Sequence, residues 1–351
     1  MIRIGNRAIG PGHPVYIIAE LSANHLGDFA RAEHLVRTAK AVGADAIKLQ
    51  TYTPEGMTLD CSAPPFQIEG GTAWDGKTEF EVYREAATPW EWHAPLRGLA
   101  LDLGLEFFST AYDTAAVEAL ESLGVPAYKI ASFELVDLPL IRRIAETGKP
   151  VILSTGMATL DEIDDAVDTF EEAGGDQLAL LHCISAYPAP PDEMNLRTIP
   201  DLAQRYEVPT GLSDHTLGSV AATAAVALGA CIIEKHLTLS RSDGGPDASF
   251  SAEPPDFRAL VESIRTTEQA LGFAHYGPTQ SEQALVKYRR SLFVSRDMLA
   301  GEPFTTENVR VIRPGHGLPP KDLQVVLRSR AKKDVSLGTP LSWDLVERDD
   351  S

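Results

Sequence analysis

Cysteine is scarce: Cys61, Cys183 and Cys231 are the only three in 351 residues. An odd count without C-x-x-C spacing argues against a disulfide framework and against a thiolate zinc site. Long apolar runs are missing too. No stretch approaches the roughly 20 apolar residues that cross a bilayer, so no membrane association is expected. The opening MIRIGNRAIGPGHPVYIIAE lacks a basic segment leading into a long apolar core, which reads as no signal peptide and a cytoplasmic protein. Positive charge is in short supply, with 31 Lys and Arg against 50 Asp and Glu and a net charge of −19. That balance argues against nucleic-acid binding. The acid concentrates in 161–176 and in the tail, where it reads as solvated surface. If such a chain binds an anion, it must gather its few lysines in one place.

What the sequence does contain is a repeating alternation. Eight short apolar runs, at 15–21, 46–52, 105–110, 127–132, 150–156, 178–183, 208–214 and 231–237, have strand character. Segments of helical period separate them, clearest at 29–43, 88–104, 113–124 and 160–175. Several of these open on Asp, Thr or Pro and close on Gly, as capped helices do. Eight strand–helix repeats predict an α/β fold, a (β/α)8 TIM barrel. A doubly wound open sheet would need a glycine-rich loop after its first strand, and LSANHLGD is not one. A long irregular insertion at 53–88 follows the second strand, on the face where barrel enzymes keep their sites. The expected organisation is a catalytic barrel over 1–275, a linker at 276–287 and a small β-rich domain over 288–351.

Polar residues recur at the ends of the strands: Glu20, Lys48 with Gln50, Ser109 with Thr110, Lys129 with Ser132, Ser154 with Thr155, His182, Ser213 with His215, and Glu234 with His236. Lys48 and Lys129 lie inside apolar strands, and burying an ammonium without an anion is costly. Two lysines and a ring of hydroxyls suit a phosphate or carboxylate ligand. His215 and His236 end adjacent strands, each beside an acidic residue, and two imidazoles with open positions suit a divalent ion. His182 is read as structural.

The stretches IIAELSANHLGD, GADAIKLQTY, FFSTAYD, YKIASFEL, VILSTGMAT, YPAPPDEMNL, GLSDHTLG, and IIEKHLTL with GGPD together resemble the sialic acid synthase family. RSLFVSRDMLAGEPFTTENVRVIRPGHGLPP resembles the antifreeze-like (SAF) domain that those synthases carry. The resemblance implies a condensation of phosphoenolpyruvate with the open-chain aldehyde of an N-acetylated amino sugar, giving a nine-carbon 2-keto acid. It implies that Lys48, Thr110, Lys129, Ser132, Ser154 and Ser213 cradle phosphoenolpyruvate, and that His215 and His236 hold Mn²⁺ or Mg²⁺. It implies that Glu20, Tyr187, Glu234 and Asp247 contact the sugar or the attacking water, with Glu20 or Glu234 taking the water's proton. It implies that Arg313 reaches into a partner's barrel in a domain-swapped homodimer and holds the N-acetyl group.

Ser185, where the family usually has Asn, and the 66–93 segment resemble the pseudaminic acid synthase branch, whose acceptor is a 2,4-diacetamido-2,4,6-trideoxy hexose. Phe66, Trp74, Trp90 and Trp92 are expected either to give that sugar a less polar pocket or simply to pack the loop. N-acetylneuraminate or legionaminate synthesis uses the same scaffold with another sugar. A non-catalytic carbohydrate-binding protein would not need the strand-end lysines and histidines, and a tail-less 3-deoxy-sugar-acid synthase would not need the SAF domain.

Overall fold

The computed structural model describes residues 1–69 and 75–348. Met1–Gly272 and Phe273–Ser351 form two compact units. The first begins with an antiparallel hairpin, β1 (Ile2–Ile4) and β2 (Arg7–Ile9). β3 (Tyr16–Glu20), α1 (Phe29–Val42), β4 (Ala46–Thr51), α2 (Pro54–Met57), α3 (Glu79–Ala86), α4 (His93–Asp102), β5 (Glu106–Ala111), α5 (Thr114–Leu123), β6 (Tyr128–Ile130), α6 (Leu138–Ala145), β7 (Val151–Ser154), α7 (Leu160–Glu172), β8 (Leu178–Cys183), α8 (Thr198–Tyr206), β9 (Thr210–Asp214), α9 (Val220–Ala227), β10 (Ile232–His236) and α10 (Pro254–Leu271) follow. The strands from β3 to β10 pair in parallel and close into one barrel, with β10 beside β3. The sequence predicts this eight-stranded (β/α)8 barrel, and the structure has it.

Local chemistry sets the helix ends. The Asp28 side chain accepts from Ala30 N at the start of α1, and Gly43 ends that helix at φ 94°. Thr159 and Glu162 close a capping box on α7. Such caps satisfy backbone groups that the helix itself leaves open.

Strand alternation sorts the core into two layers. Ile17, Ala19, Ile47, Leu49, Phe107, Tyr128, Val151, Leu180, Leu212 and Ile233 face the helices. Tyr16, Ile18, Ala46, Phe108, Ala127, Ile152, Ala179, Leu181 and Ile232 fill the barrel's interior, and Ile2, Ile4 and Ile9 of the hairpin join them. The hairpin therefore plugs the barrel's N-terminal end. The interior is tight at Gly211, where an added Cβ would come within 2.2 Å of Ile232 O.

Caps shape the described parts of the 53–88 insertion. Thr53 caps α2, Gln67 bridges Thr78, and Thr78 with Glu81 forms a capping box on α3. Its ends are fastened to the barrel. Trp90 Nε1 donates to Tyr52 O at 3.1 Å, His93 Nε2 meets Thr51 Oγ1 at 2.7 Å, and His25 Nε2 meets Thr88 Oγ1 at 3.0 Å. Trp90 and Trp92 pack against the outer core layer, with Trp92 edge-on to His25 and to Phe29, each at 5.4 Å. These two tryptophans therefore anchor the loop. Neither they nor Phe66 line the main cavity, and Trp74 lies outside the described residues.

The second unit pairs β11 (Ser291–Val294) with β12 (Val309–Ile312), follows with α11 (Leu323–Val326), and pairs β13 (Ser329–Ala331) with β14 (Val346–Arg348). Leu292, Val294, Phe304, Val309, Val326, Ala331, Leu341 and Val346 make its core. Arg313 follows β12 and is exposed. Among the described residues no helix is long and apolar enough to cross a membrane.

Candidate active site

The inward positions change character along the barrel. Apolar side chains occupy them near the hairpin, and polar ones take over toward the strands' C-terminal ends. There a cavity of about 460 Å³ opens. Lys48, Lys129, Ser132, Ser154, Tyr187, Ser213, His215, Glu234, His236 and Asp247 all line it. Thr110 and Glu20 do not. Both are fully buried and pack against Lys48: Lys48 Nζ donates to Thr110 Oγ1 at 3.0 Å and pairs with Glu20 Oε2. Both thus hold the lysine from behind the cavity's lining. Arg313 belongs to the second unit.

The floor is a compact charge array. Lys48 Nζ also lies 3.5 Å from Glu234 Oε1, and Ser213 Oγ donates to that oxygen at 3.2 Å. Lys129 Nζ donates to Ser154 Oγ at 2.7 Å and to Ile130 O at 2.8 Å. Burial raises the Glu20 carboxyl to about 7, against the pull of Lys48. Burial acts on Glu234 in the same direction but loses to Lys48 and Lys129, so Glu234 is held below its usual range and ionised. Burial pushes Lys129 down. Both ammonium groups thus stand buried in this array, where a charge acts more strongly than in water.

Ser132 Oγ and Ser185 Oγ meet at 2.9 Å. Gly156 makes room for that pair: a Cβ there would sit 2.3 Å from Ser132 Cβ, and its φ is +28°. Ser185 thereby joins the hydroxyl ring.

The two histidines stand side by side, ring centroids 5.6 Å apart. His215 Nδ1 donates to Ile184 O at 2.8 Å, which leaves its Nε2 with the lone pair. His236 Nδ1 is buried without a partner. Burial holds both rings below the usual imidazole range and therefore neutral. Tyr187 stacks on His215 at 4.4 Å, and Phe250 packs against His236 at 4.9 Å. Behind the pair, Lys235 Nζ donates to Asp214 Oδ2 at 2.6 Å and to Thr216 O at 2.7 Å, while Thr216 N donates to Asp214 Oδ1 at 2.9 Å. This buried clamp ties together the strand ends that carry the imidazoles.

A neutral ring with a free lone pair is what a divalent ion takes, and a carbonyl on the other nitrogen is its customary orienting partner. The pair fits such an ion with water and substrate oxygens completing the shell. Among the described residues no cluster of three or more His, Cys, Asp or Glu is poised to hold one.

Gln50, one of the strand-end polar residues, lines the cavity, and so do Tyr52, Tyr83, Tyr112 and Glu134, which sequence reasoning passed over as site residues. Tyr52 and Tyr112 sit two positions past the inward Gln50 and Thr110, so the same alternation carried one step further finds them. Glu134 stands two past Ser132. Burial raises Glu134 to about 7 and Asp247 to about 6, giving the cavity two acids that exchange protons near neutrality.

Residues 35–276 match the NeuB family and residues 289–347 match the SAF domain. The chain is 44% identical over 338 residues to a pseudaminic acid synthase of Helicobacter pylori, covering 95% of this chain and 98% of that one. It is 42% identical to a pseudaminic acid synthase of Campylobacter jejuni, covering 97% and 98% respectively. Among solved structures it is similar to the N-acetylneuraminic acid synthetase of Leptospira borgpetersenii bound to citrate, with a TM-score of 0.72 and 34% identity over 81% of this chain and 94% of that one.

Proposed function

The chain belongs to the NeuB family, and from that membership together with the cavity we propose that it condenses phosphoenolpyruvate with 2,4-diacetamido-2,4,6-trideoxy-L-altrose, as a pseudaminic acid synthase. The observation that carries the reading is the convergence of Lys48, Lys129, Ser132, Ser154, Ser213, His215 and His236 on one cavity.

The two ammonium groups hold the carboxylate and phosphate of phosphoenolpyruvate and screen their charge, and the hydroxyls orient them. Held there, the enol phosphate presents C3 to the sugar's aldehyde carbon. A C–C bond forms, the aldehyde oxygen takes up a proton, and C2 is left electron-poor. Water adds at C2 and gives up a proton, and the C2–O bond to phosphate breaks with release of phosphate. Glu234 is ionised and faces the cavity, so it can stabilise C2 and accept the water's proton. Glu20, the other carboxylate expected in that role, lies behind Lys48 and acts through it. Tyr187 and Asp247 bind the sugar. His215 and His236 would hold a Mn²⁺ or Mg²⁺ ion, which when bound polarises a carbonyl oxygen as a Lewis acid.

The acceptor panel is the direct test. Purified enzyme with phosphoenolpyruvate is expected to release phosphate fastest with the diacetamido trideoxy sugar. Faster release with N-acetylmannosamine overturns the sugar assignment.

The family resemblance further supports a homodimer in which Arg313 serves a partner's barrel and holds the N-acetyl group. His236→Ala and Arg313→Ala proteins are each expected to lose turnover, and to regain part of it when their subunits are mixed and allowed to exchange. No recovery after verified exchange argues for Arg313 acting within its own chain.

A further inference from the structure

We propose that one face of α3, with Val82 and Ala86 at its centre, together with Ile68, seats the deoxygenated end of the acceptor sugar and so determines which amino sugar is used. This rests on the condensation proposed above.

The cavity has two kinds of wall. The barrel strands supply lysines, hydroxyls, imidazoles and Glu234. The insertion supplies Met57, Ile68, Glu79, Val82, Tyr83 and Ala86. Four of these, Glu79, Val82, Tyr83 and Ala86, follow the i, i+3, i+4, i+7 spacing of a single helical face. Phe80, on another face of the same helix, is buried. The helix thus presents a defined face to the cavity, and its insertion is fastened at both ends by Trp90 to Tyr52 and by His93 to Thr51. The wall is built and held, as a specificity surface must be.

Chemistry fixes which part of the sugar meets it. The aldehyde carbon has to reach C3 of phosphoenolpyruvate, which the strand-borne lysines and serines hold. Phe250 packs on the histidine side, against His236 and Tyr187. The far end of an open-chain hexose therefore points away from the strands, toward the insertion. The side chains of Ile68, Val82 and Ala86 offer no hydrogen bond. Against these three side chains a hydroxyl on the terminal carbon would give up water without replacement, since Glu79 and Tyr83 stand at the edges of the face, whereas a methyl would be buried with gain. A single such difference discriminates by about tenfold to a hundredfold.

The test replaces Val82 with Thr, which keeps the shape and adds a hydroxyl, and in a second variant replaces Ala86 with Ser. kcat/KM is measured for the 6-deoxy diacetamido sugar and for N-acetylmannosamine, together with the KM for phosphoenolpyruvate and the thermal midpoint. The expected result is a shift of the acceptor ratio toward the 6-hydroxy sugar by about tenfold, with the phosphoenolpyruvate KM unchanged. An unchanged acceptor ratio in both folded variants overturns the proposal. If the parent enzyme prefers N-acetylmannosamine, the sugar assignment falls. The seat for a deoxygenated end falls with it, and the variants then decide only whether this face of α3 selects the acceptor, by whether the ratio moves.

Discussion

Lys129→Met is expected to lower kcat/KM by roughly a thousandfold or more while leaving the protein at least as stable as its parent. Lys129 is fully buried, and its ammonium is held by one carbonyl and one hydroxyl, with no carboxylate in salt-bridge range among the described residues. Methionine keeps the length and apolar stem and deletes the charge. What is lost is the electrostatic hold on a substrate anion. What is gained is relief from keeping a cation out of water, offset by leaving Ser154 and Ile130 O short of a donor. The sign follows from the lysine's lowered pKa. Below its folded value the penalty is fully present, and stability recovers as pH rises from that value toward the unfolded one near 10.4. The variant's advantage in thermal midpoint is therefore expected to be greatest near pH 7 and to shrink toward pH 10. Phosphate-release kinetics and a melting series across that range check both halves. Retained turnover, or a stability loss that ignores pH, contradicts the assignment.

Lys48→Met has the opposite stability outcome. It removes the counter-charge of Glu20 and Glu234 at once, both of them buried. Breaking such a pair from one side costs about 3–5 kcal/mol. Adding Glu20→Gln is expected to return a good part of that loss, because the amide no longer needs the cation, while turnover stays lost. The deficit of the single variant is also expected to grow with pH. Lys48 pulls the Glu20 carboxyl down to about 7 against burial; without the lysine it rises further, so Glu20 is neutral at pH 5 in parent and variant alike, and at pH 8 only the variant still bears the penalty of keeping it neutral or ionising it unpaired. Urea unfolding of the parent, single and double variants at those two pH values measures it. Equal stability of single and double variants at pH 8 sinks the coupling.

The barrel was legible in the sequence because eight short apolar runs alternate with segments of helical period, several of them capped. The site was legible for a related reason: a lysine inside an apolar strand has few uses. The strand-end reading nevertheless mixed two faces. Ser109 Oγ meets Thr51 Oγ1 at 2.7 Å, and His182, already read as structural, has Nε2 on Met194 O at 2.6 Å, both away from the cavity. Counting in twos from Lys48 and Lys129 separates them from the inward set. Alternation has no purchase on the insertion. In TEFEVYREAA either side of the helix has apolar residues, and only the folded loop shows that Phe80 packs inward while Val82 and Ala86 face the cavity. The aromatic residues there are conspicuous in sequence, yet Trp90 and Trp92 serve as fasteners. The hairpin that plugs the barrel passes unnoticed because IRI and RAI are too short to carry a periodic signal.

The barrel closes where β10 lies beside β3, and the register sets His236 opposite Glu20 and Glu20 opposite Lys48. That seam joins the chain's earliest and latest barrel strands. Its loop-closure cost falls due only after nearly the whole unit has been made. Until then Glu234 has no Lys48 beside it, and the imidazoles of β9 and β10 face an open edge. The groups proposed to do the chemistry are therefore also the groups that complete the fold. A nascent or partly unravelled barrel has no residual activity to offer, and loss of turnover reports the first opening of the seam.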